Sequence, residues 1–144
     1  MQDKARFIKL LNEAFEKEYN DVFLYLREAN LFRKKIVSGE RIGNIFESFS
    51  LMELRHADRL VSKILELGGK AEWKFISLEV SASLREVLER HVISEAAAVA
   101  QYEEILAQCE DEDFKIIIKG IKEQEKEHLA EVSHILRNLK AGRK

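Results

Sequence analysis

The sequence has no proline and only six glycines among its 144 residues. Strand-rich folds need turn-forming residues at short intervals, so a chain this poor in them does not suit such a fold. The lack of proline also removes the commonest interruption of a helix. At this length the chain fits one domain. Composition therefore predicts a single all-α domain, residues 1–144, built from long helices.

The sequence also contains only one cysteine, and its basic residues do not outnumber its acidic ones. A lone cysteine, Cys109, cannot form an internal disulfide or a cysteine-based metal site, so a reducing cytoplasm is the expected location. The formal net charge of −2 gives no basic surface for nucleic acid. We find no apolar run long enough to span a membrane and no signal-peptide pattern at the N-terminus.

Apolar residues recur at steps of three and four over four stretches, about 3–37, 40–67, 83–108 and 111–139. Ser38-Gly39 and Gly68-Gly69 are expected to end the first two helices. Residues 70–81 have no helical period and form the one long connection, which Trp73 and Phe75 are expected to pin to the helices.

The connection is long enough to run the whole length of a helix. Residues 68–81 would span about 40 Å when extended at about 3.3 Å per residue. A helix of about 28 residues is about 42 Å long. The sequence therefore predicts a four-helix bundle with one long crossover between helices two and three, although an antiparallel return with an elaborate loop stays open.

A Glu-x-x-His motif occurs twice on the apolar stripes, as Glu53 to His56 in the second helix and Glu125 to His128 in the fourth. Residues three apart lie on the same face of a helix, where a carboxylate and an imidazole can bind one metal ion together. One copy is weak evidence in a chain rich in glutamate. The positions of both copies and the residues opposite them make the pattern informative.

The first and third helices each carry one glutamate at a core position, Glu18 and Glu95. A tyrosine follows each of them seven residues later, at Tyr25 and Tyr102. The two halves of the chain thus look like an internal repeat of a helix pair. Each helix contributes acid, or acid plus histidine, near the middle of the predicted bundle.

Four buried carboxylates cannot all remain ionised without partners, because desolvation and mutual repulsion each oppose it. The pattern places no lysine or arginine on these stripes at the same height. Two divalent cations would neutralise the four charges, and two imidazoles would complete their coordination. Mixed carboxylate and imidazole ligands suit iron or manganese, and zinc stays open. The alternative is that these glutamates point outward.

Two further histidines have other expected roles. His91 lies four residues before Glu95 on the same stripe, where it is either a hydrogen-bonded core residue or a seventh ligand. His134 lies off the ligand face and is expected at the surface.

Three segments resemble the ferritin-like di-iron carboxylate family of bacterioferritin and rubrerythrin. Leu11 through Phe32 resembles the first helix of bacterioferritin. Residues 53–59, Glu-Leu-Arg-His-Ala-Asp-Arg, resemble its Glu-x-x-His-Ala-Asp segment, and residues 123–128 resemble its last ligand motif. The resemblance covers nearly the whole chain and the complete set of six ligands.

This resemblance implies a role for each residue. Glu18 and Glu95 would each be a terminal ligand of one iron, whereas Glu53 and Glu125 would bridge the two irons. His56 and His128 would each bind one iron. Tyr25 and Tyr102 would form hydrogen bonds to ligands across the bundle, with plain core packing as the alternative.

The chain also departs from these relatives. Leu54 stands where bacterioferritin has its haem-binding methionine, so haem is not expected. Nothing after Leu139 can form a fifth helix, which argues against a closed storage cage. A rubredoxin domain like that of rubrerythrin is not expected, and Ala98 replaces the additional glutamate of rubrerythrin. The chain most resembles a stand-alone rubrerythrin-like domain.

The implied function is that of a di-iron oxidoreductase, a peroxidase or ferroxidase that reacts with hydrogen peroxide or dioxygen. It would act as a homodimer with an external electron donor that the sequence does not identify. One alternative is a metal-binding protein without turnover that holds zinc, manganese or iron. An oxygenase acting on an organic substrate is a weaker alternative.

Overall fold

The computed structural model describes residues 3–37, 39–74, 76–78 and 81–140. They form four helices, α1 (Lys4–Lys35), α2 (Gly39–Glu66), α3 (Leu84–Gln108) and α4 (Glu112–Lys140). The described residues contain no strand, so the all-α prediction is confirmed. Each helix begins and ends within two residues of its predicted bounds. Ser38, Phe75 and the tail after Lys140 lie outside the described residues.

Side chains cap the helices at several of these boundaries. Asp3 accepts a hydrogen bond from the backbone N–H of Arg6 at the start of α1, and Ser83 does so for Glu86 at the start of α3. Asp111 accepts from Phe114 before α4. The acidic turn between α3 and α4 therefore supplies a helix cap.

The two glycine boundaries have different physical causes. Gly68 has φ +81°, the left-handed conformation that glycine adopts readily at the end of a helix, as predicted. The prediction was wrong for Gly39, which is the first residue of α2 rather than the cap of α1. A Cβ atom at Gly39 would overlap the carbonyl oxygens of Phe32 and Arg33, so close backbone approach requires glycine there.

Two apolar clusters, one at each end of the bundle, fix the directions of the helices. The first contains residues from the N-terminal halves of α1 and α4 and the C-terminal halves of α2 and α3, including Phe7, Leu11, Leu60, Ile64, Ile105 and Ile118. The second contains the opposite halves, including Phe32, Phe46, Leu88 and Val132. Thus α1 and α4 run one way and α2 and α3 run the other, which confirms the predicted crossover.

The crossover connection lies along α1. Asn12 Nδ2 donates a 2.9 Å hydrogen bond to the carbonyl of Lys70, and Asn20 Nδ2 donates one of 3.2 Å to that of Lys74. An extended segment outside a helix or sheet needs such partners for its backbone. Two turns of α1 separate the two asparagines, so they hold the connection parallel to the helix.

Trp73 anchors the same segment, as predicted. Its ring stacks on Tyr19 with centroids 4.2 Å apart, and its Nε1 donates a 3.3 Å hydrogen bond to Asn20 Oδ1. These contacts with α1 explain its place in the connection as packing. None of the described helices is long and apolar enough to cross a membrane.

Candidate metal centre

The middle of the bundle, between the two apolar clusters, is occupied by buried acids and imidazoles. Every helix contributes at least one of them, because each of these residues falls on the inward-facing stripe of its helix. None is more than 4% exposed, so the alternative that the glutamates point outward is wrong. The group consists of Glu18, Glu53, His56, Glu95, Glu125 and His128.

These six side chains form two overlapping groups that could each hold a metal ion. Glu18, Glu53, His56 and Glu125 make up the first group. Glu53, Glu95, Glu125 and His128 make up the second. Within each group the ligand atoms lie within 4.8 Å of one another. Glu53 and Glu125 belong to both groups, which is the arrangement that a shared pair of carboxylates requires.

Several polar atoms at this site have no hydrogen-bond partner. They are both carboxylate oxygens of Glu53, one oxygen each of Glu95 and Glu125, and Nδ1 of His128, which lies 2.9 Å from Glu53 Oε1 without the geometry of a hydrogen bond. Leaving a buried polar atom unpaired costs about 1–3 kcal/mol. Two divalent cations would satisfy these atoms and balance four carboxylates, so the donor set fits a pair of metal ions.

The two histidines differ in their electrostatic environment. Burial lowers the pKa of His56, but its close contacts with Glu125 and Glu18 outweigh burial and raise that pKa to about 10. Its Nδ1 lies 2.9 Å from Glu125 Oε1 and 3.2 Å from Glu18 Oε2. Burial lowers the pKa of His128 to about 4. Without metal, His56 is therefore a cation at neutral pH and His128 is neutral.

The partner of the other His56 nitrogen was not predicted. Nε2 of His56 lies 2.6 Å from Oε1 of Gln124 on α4. This contact fixes the orientation of the ring, with Nδ1 toward the carboxylates. Gln124 is adjacent to Glu125 in the chain, and neighbouring helical residues point in different directions, so no spacing rule singles it out.

The carboxylates resist ionisation in the absence of metal. Burial raises the pKa of Glu53 well above its ordinary value, and the neighbouring charges of Glu18 and Glu125 raise it further. Burial also raises the pKa of Glu95 to about 7, although the Lys17 ammonium opposes this shift. Raised carboxylate pKa values of this kind are typical of a metal site, where a bound cation takes the place of the protons.

The two tyrosines occupy equivalent places. The hydroxyl of Tyr25 donates a 2.8 Å hydrogen bond to Glu95 Oε1. The hydroxyl of Tyr102 donates one of 2.9 Å to Glu18 Oε1. Each bond joins α1 to α3 and leaves the second oxygen of its glutamate for another partner. Both tyrosines are fully buried, so they also fill the core.

One expectation about charge was wrong, because a lysine does reach the site. Lys17 Nζ lies 3.5 Å from Glu95 Oε1 and 2.7 Å from Asp21 Oδ2. The Cα of Lys17 is off the predicted stripe, but its long side chain carries the ammonium into the gap between α1 and α3. Asp21, four residues after Lys17, is the sequence feature that could have indicated this ion pair, because residues i and i+4 lie side by side on a helix.

His91 has a partner of its own outside the two ligand groups. Its Nε2 lies 2.5 Å from Glu28 Oε1, and its ring stacks on Tyr25 with centroids 4.3 Å apart. His91 is thus a hydrogen-bonded core residue in this structure. Burial raises the pKa of Glu28, a buried acid that was not predicted. His134 is exposed, as expected.

A groove between α2 and α4 leads to the site. Ile45, Phe49 and Met52 line it on α2, and Glu127 and His128 line it on α4. The ring of Phe49 packs on that of His128 with centroids 4.0 Å apart. The groove therefore brings solvent to the edge of the His128 group, where an apolar ring limits entry.

Two solved structures share this architecture. A ferritin-like, diiron-carboxylate protein from Bacillus anthracis str. Ames is 24% identical, with a TM-score of 0.87 over 94% of this chain and 99% of that one. The bacterioferritin-related protein from Bacteroides fragilis, described as a dodecameric thioferritin, is 22% identical, with a TM-score of 0.85 over 97% and 89% of the two chains. At these identities the likeness establishes the fold.

A match to a family model extends this conclusion from fold to family, although no curated protein matches the chain. The model of the ferritin-like domain matches residues 8–141, which include all six acids and imidazoles of the centre. The chain therefore belongs to the family of ferritin-like domains.

Proposed function

We propose that this chain is a di-iron carboxylate oxidoreductase that reacts with hydrogen peroxide or dioxygen. The observation that carries the proposal is the sharing of Glu53 and Glu125 by two adjacent ligand groups. Glu18 and His56 would complete one metal subsite, and Glu95 and His128 would complete the other. A two-metal centre of mixed carboxylate and imidazole ligands suits two iron ions, which would be reduced and oxidised between Fe(II) and Fe(III).

Two Fe(II) ions held by these residues would supply two electrons, enough to reduce hydrogen peroxide with two protons to two waters, or dioxygen with two protons to hydrogen peroxide. An external donor would have to deliver two electrons to return the pair to Fe(II) for the next turnover. The chain's residues set the conditions for this chemistry. Four carboxylates balance the charge of two divalent ions, and the apolar clusters on either side keep the surroundings dry.

The tyrosines would hold the terminal ligands in place. Because Tyr25 and Tyr102 each occupy one oxygen of a glutamate, Glu95 and Glu18 would each offer mainly the other oxygen to a metal. Glu53 has no such bond from a tyrosine, and neither of its oxygens makes a hydrogen bond, although Nδ1 of His128 lies 2.9 Å from Oε1. Glu53 can therefore change its binding mode as the charge on the metals changes.

Anaerobic reconstitution followed by a comparison of oxidants tests this function. We expect about two irons per chain and new near-ultraviolet absorbance when oxidant is added. A faster response to peroxide supports a rubrerythrin-like peroxidase, and a faster response to dioxygen supports a ferroxidase. Uptake of zinc or manganese in place of iron, with no change on oxidation and reduction, would instead identify a metal-binding protein without turnover.

We also propose that the chain forms a homodimer through the outer face of α2. Leu51 and Leu54, one turn apart on that face, are 58% and 45% exposed. Arg55 and Asp58 lie beside them with opposite charges, so two antiparallel copies of the helix would match in charge. Sedimentation should give a dimer for the parent chain and a monomer for the Leu51→Glu/Leu54→Glu variant. A monomeric parent chain would refute the proposal.

A further inference from the structure

The two halves of the chain are not equivalent around the metal centre. Aligning Glu18 with Glu95 places Lys17 opposite Ser94 and Asp21 opposite Ala98. The first half therefore has an ion pair where the second half has a small hydroxyl and a methyl group. Both ion-pair residues are on α1, yet the ammonium is in contact with the glutamate of α3.

This ion pair acts on one ligand group more than on the other. Lys17 Nζ lies 3.5 Å from Glu95 Oε1, the same oxygen that accepts the hydrogen bond of Tyr25. Glu18 instead accepts a hydrogen bond from Tyr102 and contacts the ring of His56. A fixed positive charge thus lies next to the ligands of the Glu95–His128 subsite.

Two physical effects of this charge oppose metal binding. The ammonium competes with a metal ion for the electron density of the Glu95 carboxylate, and it repels a divalent cation directly. Burial strengthens both effects, because Lys17 Nζ is shielded from water. Asp21, 2.7 Å from the ammonium, offsets part of the charge. The ammonium is nevertheless the member of the pair that contacts Glu95, so the net effect of the pair opposes metal binding.

We propose that the Lys17–Asp21 ion pair lowers the metal affinity of the Glu95–His128 subsite relative to that of the Glu18–His56 subsite. The pair thus makes one metal position the more readily exchanged of the two. This inference rests on the proposed two-metal function and concerns a part of the site that differs between the halves. Lys17 and Asp21 are positioning and charge-setting residues, and neither is a ligand.

Variants that keep only one of the two subsites allow the metal affinity of each subsite to be measured separately. His56→Ala removes one imidazole and leaves the Glu95–His128 subsite, whereas His128→Ala leaves the Glu18–His56 subsite. Anaerobic titration with Zn²⁺, read by calorimetry against a competing chelator, then measures affinity without any redox step. We expect Lys17→Met to raise the affinity about tenfold in the His56→Ala protein, as suits a partly compensated charge. In the His128→Ala protein the change should be less than about threefold.

Asp21→Asn provides the opposite test. It removes the negative partner and leaves the ammonium, so zinc affinity in the His56→Ala protein should fall about tenfold. A packing defect in α1 would lower affinity in both variants, whereas the charge effect changes sign. Lys63→Met is the matched control, since it removes a lysine paired with Asp111 and Glu66 at the far end of the bundle. Lys17→Gln replaces Lys17→Met if the latter does not fold.

The outcomes distinguish this inference from the proposed function. If Lys17→Met leaves zinc affinity unchanged in the His56→Ala protein, or changes it equally in both backgrounds, the inference is wrong. The same conclusion follows if Asp21→Asn and Lys17→Met act in the same direction. If the parent chain itself does not bind two metal ions, the proposed function fails, whatever Lys17 does.

Discussion

Tyr25 on α1 donates its hydroxyl hydrogen to Glu95 on α3 across 2.8 Å, and this bond divides the two oxygens of the carboxylate. Oε1 accepts the bond, and Oε2 has no hydrogen-bond partner. The equivalent bond from Tyr102 to Glu18 makes the arrangement nearly symmetric. A buried tyrosine in each half would thus select the oxygen that Glu95 or Glu18 offers to a metal ion.

Replacing either tyrosine by phenylalanine should weaken metal binding. The substitution removes one hydrogen bond to a ligand and keeps the ring, so metal affinity should fall by about 10–100-fold. Calorimetric titration of Tyr25→Phe and Tyr102→Phe measures this loss. Tyr19→Phe is the control, since Tyr19 packs with Trp73 at the surface. Equal affinity in all three variants would show that the tyrosines serve only as packing.

Glu53→Leu should abolish two-metal binding and stabilise the metal-free bundle. Both oxygens of Glu53 are buried without a hydrogen-bond partner, and leucine removes that penalty at a similar volume. We expect the metal-free protein to gain about 1–3 kcal/mol in the free energy of unfolding. Denaturant unfolding and metal analysis measure the two effects. Exposed Glu103→Leu is the control, and two bound metals in the Glu53 variant would contradict the ligand assignment.

Metal uptake should release protons and become tighter as pH rises. Contacts with Glu125 and Glu18 outweigh burial and hold the pKa of His56 at about 10, so this ring is protonated at pH 7 without metal. Burial likewise raises the pKa of Glu53 well above its ordinary value, and the neighbouring charge of Glu18 raises it further. His56 must lose its proton to become a ligand, and the raised pKa of Glu53 favours release of a further proton there, so at least one proton should leave per chain at pH 7.

Calorimetry in buffers of different ionisation enthalpy counts these protons. Since binding expels protons, zinc affinity should increase steadily from pH 6 to pH 8. Affinity that is independent of pH, with no proton released, would show that the histidine and the acid are already deprotonated.

His91→Leu should destabilise the fold and leave the metal count unchanged. The substitution leaves Glu28 buried without the imidazole that now lies 2.5 Å away. Removing one partner of a buried pair costs about 3–5 kcal/mol. Thermal and denaturant unfolding measure this loss. The Glu28→Leu/His91→Leu double variant should recover most of it, and a lower metal stoichiometry in His91→Leu would support a ligand role for this residue.

Asn20→Ala should loosen the crossover connection without altering the metal centre. The side chain of Asn20 donates a hydrogen bond to the Lys74 carbonyl and accepts one each from the Trp73 indole and the backbone N–H of Ile76, and its loss removes all three bonds. Amide hydrogen exchange should become faster in residues 70–74, and zinc affinity should remain within about twofold of the parent value. Unchanged exchange would mean that Asn12 and the stacking of Trp73 hold the segment without Asn20.

The sequence alone was sufficient for the helices and for the central acids and imidazoles. A helix turns every 3.6 residues, so a residue spaced three or four from its apolar neighbours must share their buried face. That rule by itself places Glu18 and Glu53 in the core. It also predicts that the Glu and the His of each Glu-x-x-His motif lie on the same face of their helix. The close backbone approach that requires glycine at position 39 has no such periodic signal.

Only the tertiary structure decided the contacts that depend on side-chain reach and on helix direction. The length of the connection permitted a crossover. The two apolar clusters show that it occurs, because the C-terminal halves of α2 and α3 lie at the same end of the bundle. Lys17 reaches Glu95 because a four-carbon stem carries its charge away from the face that its Cα occupies. Gln124 meets His56 through the rotation of α4 against α2. Periodicity within one helix contains no information about how far a neighbouring helix is rotated, so these contacts appear only when the helices pack.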